Sequence, residues 1–346
     1  MTNRLSSRFD DGLREDDCDW LDDRVALDEA QDRVPTSVTI ESARSAITYN
    51  SSPDIGFDRS INAYRGCEHG CIYCFARPTH AYLNLSPGMD FESRLFAKPD
   101  APEILRRELA STRYQVRPIA LGTNTDPYQP IEAHYRITRG ILDVLLEHDH
   151  PVTITTKSSR VTRDIDILAR LAEKNLAAVV LSVTSLNPRL ASILEPRAST
   201  PSRRIDAIRQ LSEAGIPVSV GVSPIIPAIT DHEIEAIVEA AAAAGAKGAF
   251  SLVVRLPYEV SPLFRAWLAE HFPDRQKKVM HLIQEMRGGA DNVGEFFERF
   301  RPKGAYAAML HTRFRNACRK HGLDGLKLSL RTDLFRRPGG EQLSLL

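Results

Sequence analysis

Five short apolar runs, separated by stretches of helical period, constrain the fold of this chain more than any other feature. They are PIALGT (118–123), PVTITT (151–156), AAVVLSV (177–183), PVSVGVS (217–223) and GAFSLVV (248–254). The stretches between them have readable helix ends. In TDHEIEAIVEAAAAAG, Thr230 stands three residues before Glu233, a capping-box spacing. Ile234, Ile237, Val238 and Ala241 then fall at i, i+3, i+4 and i+7 and predict one buried stripe. Gly245 follows where a left-handed C-cap is expected, and RRIDAIRQLSEAG ends the same way at Gly215, with Pro217 just beyond. Strands alternating with helices of this length imply βαβ units and a parallel sheet.

A further strand just before residue 67 brings the count to about six βα units, fewer than a closed eight-fold barrel needs. The expected fold class is α/β: a partial (β/α)6 TIM-type barrel, or else an open doubly wound sheet. In both, ligands bind at loops following the carboxyl ends of the strands. Around this unit, at residues 57–256, the chain divides into an acidic N-terminal extension (1–56), a helical C-terminal region (257–337) and a flexible tail (338–346). The extension holds 13 Asp and Glu against 6 Arg, whereas residues 257–346 hold 16 Lys and Arg against 10 Asp and Glu. The whole chain is neutral, so no global field marks a polyanion partner. The N-terminus has no apolar run of the kind a signal peptide carries, and no stretch is long and apolar enough to span a bilayer. Five cysteines, three of them crowded together, fit a reducing cytoplasm, where clustered thiols mean metal. No GxGxxG follows a strand, and neither GxxxxGK nor HExxH occurs, which removes the usual support for nicotinamide chemistry, NTP hydrolysis and zincin proteolysis.

The crowded thiols are Cys67, Cys71 and Cys74 in NAYRGCEHGCIYCFARPTH, spaced C-x3-C-x2-C on the loop after the first expected strand. Thiolates select zinc, copper(I) or iron–sulfur clusters. A structural zinc site closes with four protein ligands. Here the fourth would have to be His69 or His80, because Cys18 and Cys318 stand far away in the sequence. The alternative is a cubane cluster with three irons held by protein and one left open.

That spacing resembles the radical S-adenosylmethionine (radical SAM) superfamily. The resemblance implies a [4Fe-4S] cluster on Cys67, Cys71 and Cys74, whose open iron is chelated by the amino nitrogen and carboxylate of S-adenosylmethionine. One-electron cleavage of the sulfonium then gives methionine and a 5′-deoxyadenosyl radical that abstracts hydrogen from a substrate. An electron donor such as flavodoxin or ferredoxin is implied as well. Tyr73, just before the last cysteine, holds the position of an aromatic residue beside the adenine.

GTNTDPYQPIE (122–132) and TITTKSS (153–159) are similar to the DNA-repair-photolyase-like, or spore photoproduct lyase-like, branch of the superfamily. The similarity covers roughly residues 58–255. It assigns Thr125, Asp126 and Lys157 to the methionine end of the cosubstrate, with Ser182 at the end of the fourth strand a further candidate. A zwitterion held against iron needs one cation and a few hydroxyl donors for its carboxylate. Read without the resemblance, Thr125 and Asp126 are a turn before Pro127, and Lys157 is a solvated loop lysine. The chain departs from the branch at Thr123, where the lyases place a hydrogen-donating cysteine. An O–H bond is too strong for threonine to substitute, and the Tyr128 phenol is the candidate donor nearby. The expectation is a radical enzyme acting on damaged DNA, though not on spore photoproduct. Radical modification of RNA or protein, or a non-catalytic zinc-stabilised nucleic-acid-binding module, are the alternatives.

At the C-terminus, EQLSLL resembles the motif by which bacterial DNA polymerases and repair proteins bind the sliding clamp. Gln342, Leu343, Leu345 and Leu346 are its candidates, and the competing expectation is a tail folded back to bury its leucines. Arg313, Arg315, Arg319 and Lys320, with the RTDLFRR stretch, form a basic face suited to phosphates or to an intramolecular acidic partner. Cys318 on the same stretch reads as a buried small hydrophobe.

Overall fold

The structure, a computed structural model, describes residues 35–325 and 329–338. Each of the five apolar runs contains a strand. In chain order the strands are β1 (Ser37–Ile40), β2 (Thr48–Tyr49), β3 (Arg59–Ile61), β4 (Tyr64–Arg65), β5 (Arg94–Ala97), β6 (Ile119–Leu121), β7 (Val152–Thr156), β8 (Ala177–Ser182), β9 (Val218–Ile225) and β10 (Gly248–Val253). Seven of them form one sheet in the order β10-β9-β8-β7-β6-β3-β2. The six from β3 to β10 are parallel and stand in chain order, with Ile61 opposite Leu121, Leu121 opposite Ile154 and Ile154 opposite Val179. A helix follows each of them, so that every crossover returns the chain to the same end of the sheet and collects the strand-end loops on one rim. Among the described residues β10 pairs only with β9, and the sheet stays open.

The buried stripes lie between this sheet and its helices. Ile234, Ile237, Val238 and Ala241 of helix Ile234–Ala243 join Ile141, Leu142 and Leu145 of helix Ile137–Glu147, and Ile208 and Leu211 of helix Pro201–Glu213, in one apolar core with the strands. Gly215 and Gly245 both take the left-handed backbone expected at helix ends. The capping box does not form. Thr230 turns its hydroxyl to the Ile226 N–H at 2.9 Å, and Glu233 accepts from Ser185 and from the Leu186 N–H, both at 2.6 Å. The loop after β8 therefore takes the Glu233 side chain, and the turn directly after β9 takes that of Thr230.

Part of the expected extension belongs to the sheets. Beyond residues 1–34, which lie outside the described residues, β1 pairs in parallel with β5 in a small sheet of order β1-β5-β4, and β2 extends the large sheet antiparallel to β3. The region after 256 is helical over Val260–His271, Gln276–Glu285 and Gly304–His321. The last of these packs on helix Ile234–Ala243, where Arg313 meets Glu235 at 2.6 Å. Residues 329–338 cross to the opposite end of the molecule: the Arg331 N–H reaches the Asn175 carbonyl, and Arg336 pairs with Asp149 at 2.8 Å. Arg313, Arg331 and Arg336 are thus answered by Glu235, Asp333 and Asp149, which corrects the phosphate-binding reading for those three. Cys318 is buried in the core, as expected.

Candidate active site at the cysteine loop

The short strand β4 feeds directly into the cysteine loop, and a glycine makes the entry. Gly66 has φ +77°, and a Cβ there would lie 2.6 Å from Leu95 Cδ2 and 2.8 Å from the Phe91 carbonyl oxygen. Only glycine passes so close with that backbone. The Cys67 N–H then donates to the Phe91 carbonyl at 2.9 Å, and the Ile72 N–H to that of Leu194 at 3.0 Å.

Side chains hold the rest of the loop. Buried Arg77 donates to the carbonyls of Gly70, Cys71, Pro87 and Gly88, and pairs with Glu92 at 2.5 Å. The fork of the guanidinium gathers four carbonyls that no helix or strand satisfies. Gln129, equally buried, donates to the Gly66 carbonyl and accepts the Glu68 N–H at 2.9 Å.

Cys67 and Cys71 are buried and Cys74 is half-buried. Burial raises all three thiols, Cys67 further through Asp126 and Cys71, and Cys71 further through Glu195. A buried thiolate needs a cation at hand, and a bound metal deprotonates its thiols outright. Each of the two histidines that zinc would need has one ring nitrogen taken. His69 Nδ1 lies 3.4 Å from Asp126, and His80 Nε2 lies 3.0 Å from the Arg94 carbonyl. Among the described residues, no group of three or more His, Cys, Asp or Glu side chains is arranged to hold a single metal ion. The donor set fits three corners of a cluster, with one ligand to each of three irons, rather than a closed zinc site.

The loops after β6, β7 and β8 meet this loop. Gly122 closes β6 at φ +85°, where a Cβ would stand 1.9 Å from the Thr155 carbonyl oxygen, so the ends of β6 and β7 can touch only at a glycine. That contact delivers Asp126 to β7. Its carboxylate accepts from Thr156 Oγ1 at 2.6 Å, the Lys157 N–H at 2.7 Å and the Tyr128 N–H at 2.9 Å. Burial alone would raise Asp126; His69 and these hydrogen bonds outweigh it and hold the carboxyl at about 2. Thr125 is buried, with its hydroxyl on the Tyr64 carbonyl at 3.2 Å. Both residues brace the site.

Lys157 is placed differently. Its Nζ lies 5.8 Å from the centre of the Tyr73 ring, its charge acts on Cys71 and Cys74, and among the described residues no other side chain pairs with it. Tyr73 is pinned at its far end, where the hydroxyl bonds to Glu195 and lies 3.1 Å from Thr184 Oγ1. Glu195 pairs in turn with buried Arg204 at 2.5 Å, and Arg204 also bonds the Ser182 carbonyl at 3.0 Å. Ser182 is therefore at the site, tied by its backbone. Tyr128 is not. Its phenol is fully buried in the core between sheet and helices, and burial and the charge of Asp164 push it well above its usual range. Pro127 and the Asp126 cap turn the ring towards Arg163, 5.6 Å from its centre, so the donor role expected for it finds no support in its position.

The radical SAM superfamily model matches residues 61–241, more than half of the chain. The chain belongs to the radical SAM superfamily. Radical SAM proteins bind a [4Fe-4S] cluster and S-adenosylmethionine, and these are its cofactors. The uncharacterized protein Rv2578c of Mycobacterium tuberculosis is 36% identical over 230 residues, 66% of this chain and 68% of that protein. The radical SAM Nα-GlyT isomerase of Pseudomonas phage M6 is 30% identical over 230 residues, which make up 46% of its length. Among solved structures, spore photoproduct lyase complexed with dinucleoside spore photoproduct superposes with a TM-score of 0.57. That match covers 82% of this chain and 79% of the lyase at 14% identity, and so speaks for the fold.

Several members of this radical SAM site were not singled out from sequence. Arg77 and Gln129 stood inside the quoted motifs, CFAR and DPYQP, without a role. Glu195, Arg204 and Thr184 carried no local signal at all, because the ring they hold lies more than a hundred residues away in the chain.

Proposed function

We propose that this radical SAM protein is an enzyme that reductively cleaves S-adenosylmethionine and acts on DNA, on a partial (β/α)6 barrel. The observation that carries the catalytic half is Lys157. A half-buried cation without an acidic partner among the described residues, beside two cluster thiols and one aromatic face, is what the carboxylate of a bound amino acid requires. Cys67, Cys71 and Cys74 would hold the cluster. Its chemistry, when bound with the cosubstrate, is one-electron cleavage of the sulfonium, which opens radical chemistry on a substrate C–H bond. The residues of this chain orient and enclose. Tyr73 presents a ring fixed by Glu195, Asp126 locks the end of β6 to β7 so that Lys157 points at the loop, and Arg77 and Gln129 keep the loop in one shape.

The DNA half is supported by likeness to the fold of the lyase, a structure complexed with dinucleoside spore photoproduct. Thr123 stands where that branch has a hydrogen-donating cysteine, and its hydroxyl lies 3.4 Å from Asn62, so spore photoproduct itself is not the expected substrate. Flavodoxin or ferredoxin is the fitting electron donor, and the cytoplasm the fitting compartment. Among the described residues no helix is long and apolar enough to cross a membrane. The clamp-like residues Gln342, Leu343, Leu345 and Leu346 lie outside the described residues.

The test is anaerobic reconstitution followed by dithionite and S-adenosylmethionine. Bound iron and acid-labile sulfide, and 5′-deoxyadenosine whose formation rises with DNA, are expected. Any single Cys→Ala change at 67, 71 or 74 should abolish the product. Absence of iron and sulfide would overturn the catalytic half; indifference to DNA would overturn the other.

A further inference from the structure

Beside the cysteine loop, on the rim beyond β10, guanidiniums and aromatic rings alternate. Arg255 lies over Phe75 and Phe300, with its guanidinium carbon 5.5 and 4.5 Å from the ring centres. Arg299 lies over Phe300 and Phe296, at 5.0 Å from each. Phe75 directly follows Cys74, and Arg255 stands two residues past the end of β10, so the stack adjoins the site. Phe75 and Phe296 are 48% and 52% exposed, unusual for phenylalanine on a folded domain.

The charges here do not balance. Arg299 is held by Asp54 at 2.5 Å, and Arg287 donates to the carbonyls of Val254 and Arg299. Among the described residues, Arg255 makes no hydrogen bond or ion pair. Burial, together with Arg299 and Arg287, lowers it to about 10. A desolvated guanidinium among like charges, with its donors unused, is a poor structural device and a good anion receptor. Rings interleaved with arginines are how proteins grip single strands: the bases stack on the rings while the cations meet the backbone.

We infer that Phe75, Arg255, Phe300, Arg299 and Phe296 form a binding platform for single-stranded DNA, with a phosphate on Arg255 and a neighbouring base on Phe75. This rests on the DNA-acting reading above and names the surface by which the substrate strand enters. A strand seated there passes within one residue of a cluster ligand, which places its next nucleotide over the site.

The test uses the reconstituted holoenzyme and a fluorescein-labelled single-stranded DNA of about 20 nucleotides, longer than the site size of one such groove. The matched duplex and the RNA of the same sequence are run alongside, with anisotropy read over a salt series. Arg255→Met should weaken single-strand binding about tenfold and reduce the salt slope by about one. Phe75→Leu should weaken it roughly tenfold at an unchanged slope, the loss of one stacked base. Arg255→Lys should restore the slope. Iron content and thermal melting of each variant establish that it is folded and loaded. If the parent binds the strand and all three variants bind it equally well, the platform is wrong while DNA action stands. If the parent prefers the duplex or the RNA, the single-stranded DNA assignment is overturned. If the parent neither binds DNA nor forms 5′-deoxyadenosine faster with it, the DNA reading fails and the platform falls with it.

Discussion

The two walls of the site are built on opposite electrostatic plans. On the cysteine side the fully buried charges are matched, Arg77 by Glu92 and four carbonyls, Arg204 by Glu195 and Asp126 by two N–H groups and a hydroxyl, while half-buried Lys157 faces the cysteine loop. On the β10 side Asp54 answers Arg299 alone, Arg287 has only backbone carbonyls, and among the described residues Arg255 has no acceptor. Matched groups hold a shape, because breaking them leaves an uncompensated buried charge. Unmatched ones wait for a ligand and reduce stability meanwhile. The contrast separates residues that build this radical SAM site from those that receive what enters it.

Arg77→Met should break the matched wall most severely. Removing one partner of a buried pair costs about 3–5 kcal/mol, here with the Gly70, Pro87 and Gly88 carbonyls losing their Arg77 donor as well, and denaturant unfolding of the reconstituted protein should show it together with lower iron occupancy. An unchanged midpoint would mean that the loop does not depend on this clamp. The matched plan extends to the far end of the molecule, where His150 bonds Tyr114 at 2.7 Å and stacks edge-on to Phe335. Burial lowers its imidazole from 6.5 to about 4. The folded chain keeps it neutral down to about pH 4, while the unfolded chain protonates it near 6.5, so stability falls as pH drops through that window. The wild type should lose up to about 3 kcal/mol there that His150→Gln does not lose. Parallel urea titrations at both ends of the window decide this, and identical slopes for the two proteins would refute it.

Tyr73→Phe is milder. It deletes one hydroxyl from a network that keeps Arg204 on Glu195, about 1 kcal/mol, and should raise the KM for S-adenosylmethionine while leaving the fold intact. A change in kcat alone would argue that the ring is not positioned by Glu195. Smallest of all, Arg255→Met should alter stability by no more than about 0.5 kcal/mol, with any shift upward, since it removes a desolvated cation from beside two others. A loss as large as that of Arg77→Met would erase the contrast between the walls.

Much of this was legible in one dimension. The five runs carry β6 to β10, the Ile234–Ala241 stripe is buried, and Gly215 and Gly245 end their helices. Each depends on a few consecutive residues and on backbone preferences that tertiary context did not override. The capping box at Thr230 and Glu233 failed because the loop after β8 offered Glu233 better partners and the Ile226 N–H, four residues upstream, took the Thr230 hydroxyl. Tyr128 was misread for a related reason. It lies close in sequence to the rim, but the Asp126 cap and Pro127 send its ring into the core. On the basic helix, Arg313 read as a phosphate contact until the fold brought Glu235 to it.

What the chain determined by itself is a trio of thiols on one loop, the glycine that lets the backbone enter it, and a periodicity that commits the middle of the molecule to parallel βα units. These are short-range properties, set by spacing and by conformations that only certain residues adopt. The tertiary structure alone decided which distant groups meet: Lys157 with Tyr73, Tyr73 with Glu195, Arg255 with Phe75 and Phe300. Those encounters are fixed by strand register and loop path. Whether a charge ends matched or unmatched depends on them, and a linear pattern of residues carries no record of it.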